Sequence, residues 1–161
     1  MIKGIHHTAI STSNLERSLS FYTRLLGFEE VTSFAWEEGN DVFDEITNLQ
    51  SSSGRVALLR GGNAFIELFE FKSPEPTKAD PNRPVCDHGI THLCLEVEDI
   101  VAEHKRLSDA GMHFHSPPID AGMGLKAAYG RDPEGNVVEI LEVEGKDNPF
   151  ALNKNLSLIH I

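Results

Sequence analysis

Apolar and polar residues alternate with period two in several short stretches of this chain and recur at helical spacing in two longer ones, in the same order twice. Lys3 to Ser11 alternates and predicts a strand. Ser13-Asn14-Leu15-Glu16 follows as a capping box, with Ser13 at the N-cap and Glu16 reaching back. Leu15, Leu19, Tyr22 and Leu25-Leu26 then repeat at helical spacing until Gly27, a stop. Phe28 to Glu37 reads as a strand and Gly39 to Gly54 as a long polar excursion. Arg55 to Arg60 and Ala64 to Phe71 predict a hairpin around Gly61-Gly62-Asn63. The stretch from Ser73 to Arg83, rich in proline and followed by Pro84, is a linker.

The order then restarts. Ile90 to Val97 predicts a strand, and Asp99 caps a helix with Ile100, Leu107 and Ala110 on one face and Gly111 at its end. Strands are expected at about Met112 to His115 and Leu125 to Arg131, a turn at Asp132-Pro133-Glu134-Gly135-Asn136, and a last strand at Val137 to Val143. Each half is β-α-β-β-β. The predicted fold is α+β, two tandem βαβββ modules sharing one domain of 161 residues: module 1 at about 3–72, linker 73–87, module 2 at about 88–144 and a tail at 145–161. The tail has no clear period, but Leu156, Leu158, Ile159 and Ile161 suggest that it docks on the body or on another subunit.

Composition narrows the function. A formal net charge of -11 argues against nucleic acid, because phosphate binding needs clustered Lys and Arg. A hydrophobic fraction of 40% suits a packed core, and no apolar run approaches the ~18–20 residues that span a bilayer. The N-terminus runs straight into strand-like sequence, with no signal-peptide pattern. Cys86 lies in the Pro-rich connector as a free thiol, and Cys94 reads as a small core residue. Neither has CxxC spacing, so a reducing cytoplasm fits best.

The repeat also carries chemistry. Each half has a histidine early, His7 or His92, and a glutamate late, Glu67 or Glu139. Side chains alternate across a strand, so His7 shares a face with Ile5 and Ala9, while His6, Thr8 and Ile10 point to the helix side. By the same rule Phe65, Glu67 and Phe69 oppose Ile66 and Leu68, and Val137, Glu139 and Leu141 oppose Val138 and Ile140. All four polar candidates fall on the face away from the helices, which lines a cleft if the two sheets curve toward each other. A glutamate inside Phe-Ile-Glu-Leu-Phe or Val-Val-Glu-Ile-Leu is costly without a partner, and a cation is the natural one. A lone strand Glu is usually a solvated edge residue, and a lone strand His is usually structural. Repetition of both pairs at equivalent positions weakens those readings and favours metal ligation by His7, Glu67, His92 and Glu139. His6, His88, His104, His113 and His115 read as structural by default, with His115 the next candidate.

The chain resembles the vicinal oxygen chelate superfamily, which includes glyoxalase I, methylmalonyl-CoA epimerase, extradiol dioxygenases, and the fosfomycin and bleomycin resistance proteins. The resemblance covers about residues 3–144. It rests on His-Thr-Ala-Ile, Asn-Leu-Glu-Arg-Ser-Leu-Ser-Phe-Tyr, Leu-Leu-Gly-Phe, Ile-Glu-Leu-Phe, Gly-Ile-Thr-His-Leu and Asp-Pro-Glu-Gly-Asn-Val-Val-Glu-Ile. It implies two βαβββ modules whose sheets form a U-shaped, partly closed cleft around one divalent metal (Ni, Co, Zn, Fe or Mn), with ligands where His7, Glu67, His92 and Glu139 stand. That set is most similar to bacterial-type glyoxalase I and to the epimerase branch. There the metal holds two oxygens of a substrate or its enediolate, and a carboxylate moves a proton beside a carbonyl; Glu67 and Glu139 are the catalytic candidates by that analogy. The implied enzyme is a lyase, isomerase or epimerase acting on a small molecule, with a homodimer as a further expectation.

Two departures bear on the substrate. Ala9-Ile10-Ser11 stands where glyoxalase I generally carries an Arg, and Phe69-Glu70-Phe71 stands where a polar residue helps to hold glutathione. A face carrying Phe65 and Phe69, helped by Tyr129, implies instead an apolar or aromatic substrate, although these side chains serve equally as core. Two alternatives stay open. Extradiol dioxygenases use two His and one Glu on Fe(II), and Glu67 would fill a position that they leave free. A drug-binding resistance protein has this fold without the ligand set.

Overall fold

The computed structural model describes residues 1–152. The apolar tail residues Leu156, Leu158, Ile159 and Ile161 lie outside them. The chain forms two units, Met1–Pro81 and a second beginning at Asn82, so the division falls inside the Pro-rich linker. No helix of the described residues is long and apolar enough to cross a membrane.

In the first unit, β1 (His7–Ser11) is followed by α1 (Leu15–Ser20), which continues as one π-helical turn at Phe21–Leu25. Strand β2 (Glu29–Trp36), the short helix α2 (Asp41–Thr47), β3 (Ser53–Gly61) and β4 (Ala64–Ser73) complete it. The sheet order is β1-β4-β3-β2, with β1 parallel to β4 and the other pairs antiparallel. Gly61 pairs with Ala64, which leaves Gly62-Asn63 as the hairpin turn, and Gly62 adopts a φ of 55° that favours glycine. Ile10, Ile66 and Leu68 are buried on the helix side with Leu15 and Tyr22, as the period-two pattern requires.

The second unit contains β5 (His92–Glu96), α3 (Ile100–Asp109), β6 (His113–Phe114), β7 (Ile119–Gly122), β8 (Leu125–Arg131) and β9 (Val137–Val143). Its order is β5-β9-β8-β6, with β7 also paired to β8 and β5 parallel to β9. The turn before β9 is held by buried Asp132, whose carboxylate accepts hydrogen bonds from the Glu134 and Asn136 backbone N–H groups and from the Asn136 side chain. Val138, Ile140, Ile100 and Leu107 are fully buried.

Several sequence expectations need correction. Strand β1 begins at His7 rather than Lys3, and β5 at His92 rather than Ile90. Helix α1 is capped by Asn14, whose side chain accepts from Arg17 N–H at 2.9 Å, and not by Ser13. Glu16 does not reach back to the cap; it pairs with Arg55 at 3.0 Å. The polar excursion contains α2, capped by Asn40 and stopped by Asn48 in the left-handed region at φ 54°. Phe43 of α2 stacks on buried Trp36 at 4.6 Å, and Asp44 accepts from the Ser51 and Ser52 N–H groups. Ala110 is exposed, so the packing face of α3 rests on Ile100 and Leu107. Strand β7 is a short exposed addition that the Pro117-Pro118 signal concealed.

Candidate metal centre

Register fixes the candidate side chains. In the first unit His7 lies opposite Phe65 and Ala9 opposite Glu67; in the second, His92 lies opposite Val137 and Cys94 opposite Glu139. Histidine and glutamate are thus offset by one alternation on neighbouring parallel strands and share a face, turned away from buried Ile66, Leu68, Val138 and Ile140.

The contacts repeat closely. His7 Nε2 is 3.1 Å from Glu67 Oε2, and His92 Nε2 is 3.0 Å from Glu139 Oε2. The first pair is the more open, with side-chain exposures of 38% and 26% against 27% and 12% in the second. In both units the other ring nitrogen meets the preceding residue: His7 Nδ1 lies 2.8 Å from His6 Nδ1, and His92 Nδ1 lies 2.9 Å from Thr91 Oγ1. Each pair therefore presents one imidazole nitrogen and one carboxylate oxygen to the same spot.

These donors fit a divalent transition metal. Imidazole nitrogen and carboxylate oxygen suit Ni, Co, Zn, Fe and Mn alike. Two such donors about 2.0–2.2 Å from a cation and at right angles to each other stand about 3 Å apart, which is the separation in both pairs. Among the described residues no three His, Cys, Asp or Glu side chains converge, so the structure shows two half-sets, one in each unit.

The neighbours differ between units. Phe65 stacks on His6 at 4.9 Å. Phe69 stacks on Phe71 at 5.6 Å, and both lie against Trp36. Tyr129 lies 4.9 Å from the His92 ring, and burial, then the Glu139 carboxylate, raise its phenol above the ordinary value. His115 is farther away, 6.5 Å from the Tyr129 ring. His104 packs on Phe114 in the second unit and joins neither pair.

Three features escaped the sequence reading. Cys94 is solvent-accessible rather than core, because it shares the face of His92; loss of water around the sulfur, then Glu139, pushes its thiol up to about 12. Alternation extended past the start of β1 puts His6 on the helix side; its ring instead lies on Phe65 and against His7. Glu70 and Glu142, three residues beyond the two site glutamates, face the helices. Glu70 accepts from Leu15 N–H at 2.6 Å and Glu142 from Ile100 N–H at 2.7 Å, each serving the first turn of its helix. The repeated Glu-x-x-Glu of β4 and β9 was the available signal.

Residues 4–140 match the family model described as the Glyoxalase/Bleomycin resistance protein/Dioxygenase superfamily. A lactoylglutathione lyase of Pseudomonas aeruginosa is 28% identical over 85% of this chain and 81% of its own. An ethylmalonyl-CoA/methylmalonyl-CoA epimerase of Cereibacter sphaeroides is 29% identical over 89% of this chain and all of its own. The crystal structure of a glyoxalase family protein from Bacillus cereus superposes with a TM-score of 0.80 at 24% identity, covering 90% of this chain and 97% of that one, and shows the same fold.

Proposed function

The chain belongs to the Glyoxalase/Bleomycin resistance protein/Dioxygenase superfamily, and on that premise we propose that it is a metal-dependent isomerase, epimerase or lyase that moves a proton on the carbon beside a carbonyl of a small molecule. The observation that carries this reading is the repeated His–Glu pair, 3.1 Å in one unit and 3.0 Å in the other. His7, Glu67, His92 and Glu139 would together hold one divalent cation. Bound there, the cation would supply Lewis acidity toward a substrate oxygen, which makes the proton on the neighbouring carbon easier to remove. The base is Glu67 or Glu139, the carboxylates on the site face of β4 and β9. The proton returns to the same carbon from the other side or to the adjacent carbon, so an isomerisation or epimerisation leaves the composition unchanged.

The surroundings favour an apolar or aromatic substituent on the substrate. Phe65 and Phe69 flank Glu67 on its own face of β4, and Phe71 continues the row. Glu70, the polar residue in that stretch, is turned to the helix side and occupied by Leu15 N–H and Arg55. On its own strand face Phe69 therefore stands between Glu67 and Phe71, with the small hydroxyl of Ser11 opposite it on β1 and no side chain of β4 placed to hold a glutathione peptide. Across the other pair, Tyr129 gives His92 a partly apolar neighbour with a neutral hydroxyl. Assembly as a homodimer and residence in a reducing compartment, consistent with two free cysteines, belong to the same reading.

The test is the metal content of protein purified without chelators, followed by hydrogen–deuterium exchange beside the carbonyl of small 2-oxo and 2-hydroxycarbonyl compounds. Binding of one transition metal per chain and metal-dependent exchange support the proposal. A protein that takes up no transition metal overturns it. Fe(II) content with oxygen uptake on a catechol would move the chain to the ring-cleaving class instead.

A further inference from the structure

The residue before each site histidine makes the same kind of contact in both units. His6 Nδ1 lies 2.8 Å from His7 Nδ1, and Thr91 Oγ1 lies 2.9 Å from His92 Nδ1. We propose that His6 and Thr91 are positioning residues that hold the two imidazoles with Nε2 aimed at the site, whether or not a cation is there. This rests on the reading of His7 and His92 as ligands.

Which ring nitrogen carries the proton decides what its partner must do. In the structure as it stands, a hydrogen bond between His7 Nε2 and a Glu67 carboxylate oxygen requires the proton on Nε2, because the carboxylate only accepts. On a neutral ring His7 Nδ1 then accepts from its other partner. Coordination requires the opposite arrangement: a bare Nε2, the proton on Nδ1 and a partner that accepts. The same exchange applies to His92 and Glu139.

A partner at Nδ1 must therefore serve in both directions. A carboxylate or a backbone carbonyl only accepts, and an ammonium only donates. A neutral imidazole nitrogen does either according to its tautomer, and a hydroxyl does either by rotating its hydrogen. Those are the two groups present, on unrelated side chains at matching positions. His6 is itself held in place, its ring stacked on Phe65 at 4.9 Å and 10°, while its carbonyl accepts from Phe65 N–H. Phe65 is also the cross-strand neighbour of His7, so stack and hydrogen bond fix the ring from two sides. Both residues are exposed, and neither belongs to the core, so replacing them leaves the fold alone.

The experiment uses the full chain labelled with 15N-histidine, long-range 1H–15N spectra that report each ring's tautomer, and calorimetric titration with Zn2+ alone. Metal-free wild type should show His7 and His92 protonated on Nε2, switching to Nδ1 when Zn2+ is added. Thr91→Val, which keeps the shape and removes the hydroxyl, and His6→Phe, which keeps the stack and removes the nitrogen, should each weaken Zn2+ binding about 10–100-fold. Thr91→Ser should bind Zn2+ within a few-fold of wild type. Wild-type affinity in the Val and Phe variants, or a Ser variant as weak as Val, overturns the proposal. If wild type binds no Zn2+, the functional reading fails on its own, and the metal-free spectra still decide: a changed His92 or His7 tautomer signal in the variants supports positioning, and unchanged signals refute it.

Discussion

Leu15 N–H opens the helix of the first unit on the Glu70 carboxylate, and Ile100 N–H opens that of the second on Glu142. Asn14 and Asp99 cap the two helices in the same way, and Gly27 and Gly111, at φ 77° and 97°, end them. His7–Glu67 and His92–Glu139 repeat on the opposite faces. The units diverge elsewhere. The first has an extra helix, a π-helical turn and a row of stacked aromatics; the second has Val137 and Leu141 where the first has Phe65 and Phe69. What the halves keep in common is the helix start and the His–Glu pair. What differs between them is the ground on which a substrate would be told apart.

The largest effect should come from breaking one pair while leaving the other. Alanine at His7, Glu67, His92 or Glu139 should abolish metal-dependent activity, and titration with Zn2+ should show affinity falling to a similar extent from either unit. Circular dichroism should stay near wild type, because none of the four side chains lies in the core. Undiminished activity after loss of one whole pair would mean that the units do not contribute equally, and that one His–Glu pair is an ordinary hydrogen bond.

Packing over the hairpins should separate the units next. A Cβ at Gly54 would sit 2.5 Å from the Glu70 carbonyl oxygen and 2.8 Å from the Trp36 ring, and neither can yield without moving β4 or the aromatic cluster. Gly54→Ala should cost about 3 kcal/mol in urea unfolding. At Gly130 the tightest neighbour is the terminal methyl of Met112, 2.5 Å away at the end of a flexible chain. Gly130→Ala should cost about 1 kcal/mol as that methyl swings aside. Equal losses would show that the second unit is packed as rigidly as the first.

How much of this was legible follows from range. The hairpins were readable because Gly61-Gly62-Asn63 and Asp132-Pro133-Glu134-Gly135-Asn136 are local signals, and β8 and β9 begin and end where the pattern placed them. The faces of His7, Glu67, His92 and Glu139 were readable because alternation is a property of the strand itself. Helix α2 was not, because what holds it is remote: Trp36 beneath Phe43, and the Ser51 and Ser52 N–H groups on Asp44. The sequence masks the Asn14 cap because a Glu at the right spacing after Ser13 completes an apparent capping box; in the structure Arg55 engages that Glu. His6 departs from the alternation because that pattern holds only where a strand exists, and β1 starts one residue later.

Removing the carboxylate under each helix start tests the feature that the units share. Glu70 is driven up by burial, but Leu15 N–H and the Arg55 guanidinium outweigh that and hold it below its ordinary value of 4.5. A depressed carboxylate stabilises the fold at pH values above its unfolded pKa, and that stability is lost as pH falls through the folded value. Glu70→Gln should therefore lose about 2 kcal/mol at pH 7, and as pH falls through the lowered folded value of Glu70 its unfolding curve should converge on that of wild type. Glu142→Gln should lose less at pH 7, because Lys126 stands 3.4 Å away and also pairs with Glu144. A Glu142 variant as damaged as the Glu70 variant would show that the helix N–H contact, common to both, carries the whole effect.

The smallest effect concerns the one-residue difference in helix length. Phe28 N–H reaches back to the Tyr22 carbonyl, whereas Met112 N–H reaches back to the Leu107 carbonyl across one residue fewer. Tyr22 and Leu107 are both buried, and Phe28 and Met112 both pack over a glycine of the facing strand, so the ends of this segment are matched and its interior is not. A π-helical turn is what a helix does with a surplus residue when both ends are fixed. Deleting exposed Arg24 should therefore close Phe21–Leu25 into ordinary α-helix, with Tyr22 and Phe28 kept in place. Stability should change by less than about 1 kcal/mol, the deleted side chain being a surface one. A crystal structure of the variant, or amide exchange at Leu26 and Phe28, would read the result. A protein that fails to fold would mean that the turn is built into the packing of the first unit rather than an insertion carried on its surface.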